Sequence, residues 1–167
     1  MKKFAHLFTQ LDQTTKTLVK VAALKKYFEE VDDKDRLWAM AILSHRRPKR
    51  TVKTSLLRQW AAELANIPLW LFEESYHKVG DLAETIALVL PPAEAQHDVA
   101  LADWIEVVKK LDKKEEAVKK ETVINAWQGL TYNERFVFNK LITGGFRVGV
   151  SQKLMMRALA QYEGQDE

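Results

Sequence analysis

Apolar residues along this chain recur at spacings of three and four. Leu18, Val21, Leu24, Phe28 and Val31 form one such series, and Leu101, Ile105, Val108 and Leu111 form another. That period places side chains on one face of an α-helix. No alternating apolar–polar run bounded by turn residues occurs, so the pattern predicts no strand. The interruptions fall where helices start and stop. Pro48 lies in a basic turn after Ser44, and Pro68, following Asn66-Ile67, suits the first turn of a helix. Gly80 ends one helix, Asp81 and Glu84 form a capping box for the next, and Pro91-Pro92 stops it. A loop then runs to about Asp98. Thr131 and Glu134 form a second capping box, for a helix that Gly144-Gly145 ends, and Ser151 caps the last helix. These signals predict an all-α fold: a compact two-lobed bundle of about nine or ten short helices, with the seam near 91–98.

Composition narrows the class. A chain of 167 residues with 47% hydrophobic side chains can build the core of one domain, which excludes a disordered or fibrous protein. The longest apolar run, Leu37 to Leu43, has 7 residues, far short of the roughly 18 needed to cross a bilayer. Gln10 and Asp12 come too early for a signal peptide's apolar region. The absence of cysteine excludes disulfides and thiolate metal sites and fits a reducing cytoplasm. The five Trp mostly fall on apolar faces and read as core rather than base-stacking platforms.

Charge adds a different kind of information. The net charge is only +3, yet three stretches contain no acid: Gln13 to Phe28 with four cations, Arg36 to Ala62 with seven, and Arg135 to Tyr162 with five. The rest of the chain is therefore net acidic. Charge sorted in this way can give a nearly neutral protein a positive surface for a polyanion, unless the fold scatters the stretches. The mixed Lys/Glu segment Lys109 to Glu121 alternates in sign and reads as a solvated helix face.

The sequence offers no catalytic constellation. The four histidines are scattered, and none has a second histidine three or four positions on, so no helical zinc or di-iron site is predicted. There is no Gly-rich phosphate loop ending in Lys-Ser or Lys-Thr and no Gly-x-Ser-x-Gly. The carboxylate pairs Glu73-Glu74 and Glu115-Glu116 lie in charged segments with nothing to separate their pKa values. Binding is what remains.

The most informative segment is TGGFRVGVSQKLMMRALA, Thr143 to Ala160. Gly144 and Gly145 let the chain leave a helix, Gly149 lets its backbone approach a partner, and Ser151 opens a new helix. The first N–H groups of that helix have no acceptor within it and favour anions, and Arg147, Lys153 and Arg157 add charge around them. Such a corner can hold a nucleic-acid backbone without reading bases. An ordinary helix–turn–helix corner with surface cations fits the same residues, and physics alone does not choose.

The segment resembles the end of the N-terminal DNA-binding domain of ATP-dependent DNA ligases, where a helix precedes a "TGGLRIGVS.K…ALA" run. TTKTLVKVAALKKYF (Thr14 to Phe28) is similar to an early helix of that family, and VGDLAETIALVLP (Val79 to Pro91) to its "GDL-x-E" helix. SHRRPKRTVKTSLLRQW also looks like its bacterial members. The matches run in order from Phe4 to about Tyr162, with Phe146 where the pattern has Leu.

The resemblance implies an all-helical domain that grips duplex or nicked DNA through the minor groove and is followed by adenylylation and OB-fold domains in cis. No Lys-x-Asp-Gly, the motif of the lysine that takes up AMP, occurs in these 167 residues. The chain is thus expected to bind no cofactor, ATP and Mg²⁺ belonging to the parent ligase, and not to seal nicks alone. It is expected in the cytoplasm, on the nucleoid and away from membranes, in replication, repair and recombination. The family's phosphate-contacting loop maps onto Gly145, Arg147, Gly149, Ser151 and Lys153, and its early helix onto Thr14, Thr15 and Lys16; a plain N-cap also explains Thr14. Arg46, Arg47, Lys49 and Arg50 join the candidates on charge alone, and a solvated loop explains them equally well. Two other functions fit the composition. A helical protein-interaction scaffold with a basic face is one. A helix-turn-helix regulator is the other, though no helix is dense in base-reading Arg, Asn and Gln.

Overall fold

Helix-capping chemistry explains several of the element boundaries in the computed structural model, which describes every residue except 47, 48, 95, 97, 144, 145, 147 and 165–167. Ten helices and no strand occur among the described residues. They are α1 (Lys2–Asp12), α2 (Thr17–Glu30), α3 (Asp33–Leu43), α4 (Thr54–Ala65), α5 (Leu69–Val79), α6 (Leu82–Val89), α7 (Leu101–Lys110), α8 (Glu116–Gly129), α9 (Tyr132–Thr143) and α10 (Gln152–Tyr162). Asp32, Asp81 and Ser151 cap α3, α6 and α10, each accepting at 3.1 Å from the amide three residues on. Asn66 and Gly80 end α4 and α5 in the left-handed conformation, at φ 57° and 83°. Pro68 is the N-cap of α5 rather than a member of its first turn, because its ψ of 150° is extended.

The chain divides into two units. The first comprises Met1–Arg47, Ala100–Ala102 and Gly145–Glu167; the second comprises Pro48–Val99 and Asp103–Gly144.

In the first unit α2 packs on both α1 and α10. The buried stripe of α2 is Lys20, Val21, Ala23, Leu24, Tyr27 and Phe28. This corrects the apolar series read from the sequence. Leu18 is 68% exposed, whereas Lys20 is buried, its stem packed inside and its amine bonded to backbone. Phe4, Phe8 and Phe146 form an aromatic cluster. Burying one such ring stabilises the fold by about 1.5–3 kcal/mol. The buried Asp35 accepts from the Ala102 amide at the start of α7, at 3.0 Å.

In the second unit α6 lies along α9, and α4 contacts α5, α6 and α8. Its centre is a buried polar junction. The Trp127 indole donates to Asn139 Oδ1 at 2.7 Å, and Asn139 Nδ2 donates to the Ala83 carbonyl at 3.1 Å. Arg135, also buried, donates to the Trp127 and Pro91 carbonyls. Trp60, Trp104 and Trp127 are core, but Trp70 is 67% exposed at the first turn of α5, beside the exposed Leu69 and Leu71. The segment Lys109 to Glu121 is not a single solvated helix. It covers the end of α7, a turn and the start of α8. Within it Lys119 donates to the Thr51 carbonyl and Lys120 pairs with Glu63. No helix among the described residues is long and apolar enough to cross a membrane.

Candidate nucleic-acid interface

Two candidate segments far apart in sequence meet in the first unit. Lys16 is the N-cap of α2, with extended backbone, so the plain N-cap reading of Thr14 does not apply. Thr14 instead orders the approach to the helix, its hydroxyl accepting from the Lys16 amide at 3.1 Å. Thr15 and Lys16 are exposed and Thr14 is half-buried. One turn into α2, Lys20 Nζ donates to the carbonyls of Val148 at 2.8 Å and Gly149 at 3.1 Å. The start of α2 is thereby tied to the turn that leads into α10.

That turn is held from three sides. Phe146 is buried, stacked on Phe4 at 5.9 Å and edge-on to Phe8 at 5.5 Å. Gly149 has φ +67°, and a Cβ there would lie 2.6 Å from Lys20 Nζ. A side chain there would be strained by the left-handed backbone and would have to displace the buried amine, so glycine is favoured at this position. Ser151 then caps α10 through the Leu154 amide. The Gln152 and Lys153 amides sit in the first turn, where an α-helix supplies no acceptor. Lys153 projects exposed from the same turn.

The described basic residues Arg46, Lys49 and Arg50 fall in different units. Arg46 lines a groove of about 620 Å³ in the first unit with Leu37, Met40, Ser151, Met155 and Met156. Two sequence-predicted residues, Arg46 and Ser151, therefore share one concavity. His45, in left-handed backbone at φ 67°, turns the chain out of α3 just before Arg46. Lys49 and Arg50 belong to the second unit. Lys49 lies 3.7 Å from Asp112, and Arg50 donates to the Thr143 carbonyl at 2.9 Å. Gly145, Arg147 and Arg47 fall outside the described residues.

The three acid-free stretches do not become a uniform positive surface. Lys20 and Arg135 are buried on carbonyls, and desolvation lowers the Arg135 pKa. Lys140 pairs with Asp81, so this aspartate both caps α6 and ties α6 to α9, more than the capping role read from sequence. Arg36 bonds the Phe28 and Val31 carbonyls and pairs with Asp33, and Arg58 pairs with Glu73. Lys16, Lys26, Arg46, Lys49, Arg50, Lys53 and Lys153 are exposed. No cluster of three or more potential metal-binding side chains occurs among the described residues.

A family model described as DNA ligase N terminus matches residues 1–160. The chain belongs to this family. A search of curated proteins finds no match. Within this ligase-associated domain the residue that sequence reasoning missed is Lys20. It is one of the four cations of the acid-free stretch Gln13 to Phe28, and its place next to Val21 and one turn before Leu24 was the available signal.

Proposed function

We propose that this domain holds duplex or nicked DNA by its sugar-phosphate backbone, without reading sequence, for the ATP-dependent ligase of which it is a part. The observation that carries the reading is the Lys20 clasp, in a chain of the ligase N-terminal family. The clasp joins the start of α2, with Lys16, to the turn that ends at Ser151 and Lys153. Exposed ammonium groups supply attraction that is indifferent to base identity, and backbone amides at a helix start supply directed hydrogen bonds to phosphate. Contacts of this kind fix the register of a protein on DNA and carry no sequence information. Engagement through the minor groove, on both sides of a nick, is part of the proposal. ATP and Mg²⁺ act in the parent enzyme's other domains in cis, and nick sealing in replication, repair and recombination is the parent's activity. Work on chromosomal DNA would place the protein at the nucleoid.

The test is a fluorescence-anisotropy titration with nicked, intact and single-stranded DNA of two sequences at two salt concentrations. Binding to duplexes of both sequences, falling steeply with salt and weakened alike by Lys153→Glu and Arg147→Glu, supports the reading. Absence of binding to all three DNAs at low salt refutes it and favours a protein-interaction scaffold. Strong preference for one sequence would favour a regulator.

A further inference from the structure

We propose that Lys20 is a positioning residue that aims two backbone amides at the phosphate, while itself touching no DNA; the inference rests on the function proposed above. The argument is one of peptide geometry. In a trans peptide unit the C=O of one residue and the N–H of the next point in opposite directions, and the chain has no cis peptide bonds among the described residues. Lys20 Nζ draws the carbonyls of Val148 and Gly149 toward the buried side of α2. The amides of the following residues, Gly149 and Val150, are therefore turned away from Lys20.

Gly149 is exposed and Val150 half-exposed, so solvent reaches the two residues that carry these amides. A single amine thus fixes two consecutive peptide planes. They immediately precede Ser151, the cap of α10. Without the clasp, each peptide plane could rotate about its flanking bonds, and neither donor would keep its direction away from Lys20. The left-handed glycine belongs to the same device, since any Cβ at 149 would collide with Nζ.

The test compares Lys20→Met, Gly149→Ala and Lys153→Gln with the unaltered domain, by anisotropy on nicked duplex across a salt series. Melting curves recorded beside it show the folded fraction. Lys20→Met is expected to weaken binding by about tenfold or more at fixed salt, as when a hydrogen bond to a charged group is lost. Its slope of log K against log salt stays at the wild-type value, because an amide releases no counterion. Lys153→Gln reduces that slope by about 0.9.

Gly149→Ala keeps the lysine and disturbs the clasp, so it should also lose affinity at constant slope; it decides the matter if Lys20→Met does not fold. In ¹⁵N spectra the Gly149 and Val150 amides of the unaltered domain should shift with DNA, and those of Gly149→Ala should shift less. A slope reduced by about 0.9 in Lys20→Met would make Lys20 a phosphate contact and overturn the inference. Unchanged affinity of the folded variants would make it a mere strut, with the same consequence. If the unaltered domain binds no DNA, the proposed function falls and the inference falls with it.

Discussion

Truncating Phe146 tests whether the turn before α10 is anchored in the core of the first unit. The ring is buried, stacks on Phe4 at an interplanar angle of 20° and meets Phe8 edge-on at 88°. A buried Phe→Ala change costs about 3–5 kcal/mol, from lost transfer energy and the cavity left behind. Phe146→Leu restores the residue usual in the family pattern and most of the apolar volume. It gives up two aromatic pairs at about 0.5–1.5 kcal/mol each, hence about 1–3 kcal/mol. For a chain of this size each kcal/mol moves Tm by about 2–4 °C, so the alanine variant should melt about 6–20 °C lower and the leucine variant between it and the unaltered protein. Urea unfolding followed by circular dichroism measures both. An alanine variant within about 1 kcal/mol of the unaltered protein would refute the anchoring, because a change that small is the ordinary cost of a surface substitution rather than of a buried ring.

Two further outcomes follow from buried polar groups. Asn139→Leu takes the side-chain partner from the Trp127 indole N–H and the Ala83 carbonyl. The Ala83 carbonyl keeps its backbone partner within α6, so one buried orphan remains; a loss of about 1–3 kcal/mol in urea unfolding is expected, and a neutral result would mean that water enters the junction. Burial first, then the nearby negative charges of Asp35 and Asp32, hold the Tyr27 phenol well above its ordinary pKa. The unfolded chain therefore loses this proton before the folded one. Stability from Tyr27 is complete below about pH 10 and drains away as pH rises beyond it. Tyr27→Phe should flatten the alkaline decline, and identical declines for the two proteins would count against a buried, neutral phenol.

Helix existence was legible because it depends on local rules. Leu101, Ile105, Val108 and Leu111 are all buried as their period requires. Gly80, Asp81 and Ser151 perform the terminal roles that their chemistry predicts. The errors concern the partner across space, which periodicity does not contain. Leu18 and Lys20 exchange their expected places because two carbonyls 128 and 129 residues away satisfy the amine. Trp70 is exposed although tryptophan favours interiors, since it starts a helix whose only buried residue is Phe72. Asp81 and Lys140, 59 residues apart, form a pair that neither segment announces. Gly149 was legible as a point of close approach, but its left-handed backbone and the lysine behind it were not.

The same sorting bears on how strongly salt should weaken DNA binding. If all sixteen cations of the acid-free stretches met phosphate, the slope of log K against log salt would be about −14 at about −0.9 per contact. The fold commits five buried or half-buried ones to internal partners, Lys20, Arg36, Arg58, Arg135 and Lys140, while Lys49 and Arg50 stay exposed beside theirs. The eleven left over would set a limit of about −10. The seven described cations that are exposed give about −6, before any contribution from Arg47 and Arg147. A measured slope between these values fits cations sorted by the fold, because a buried lysine bonded to two carbonyls neutralises no phosphate and frees none of the cations condensed on the DNA. A slope from these stretches of about −14 would require Lys20 and Arg135 both to leave the core for the phosphates. That outcome would contradict the Lys20 clasp as directly as any mutation of it.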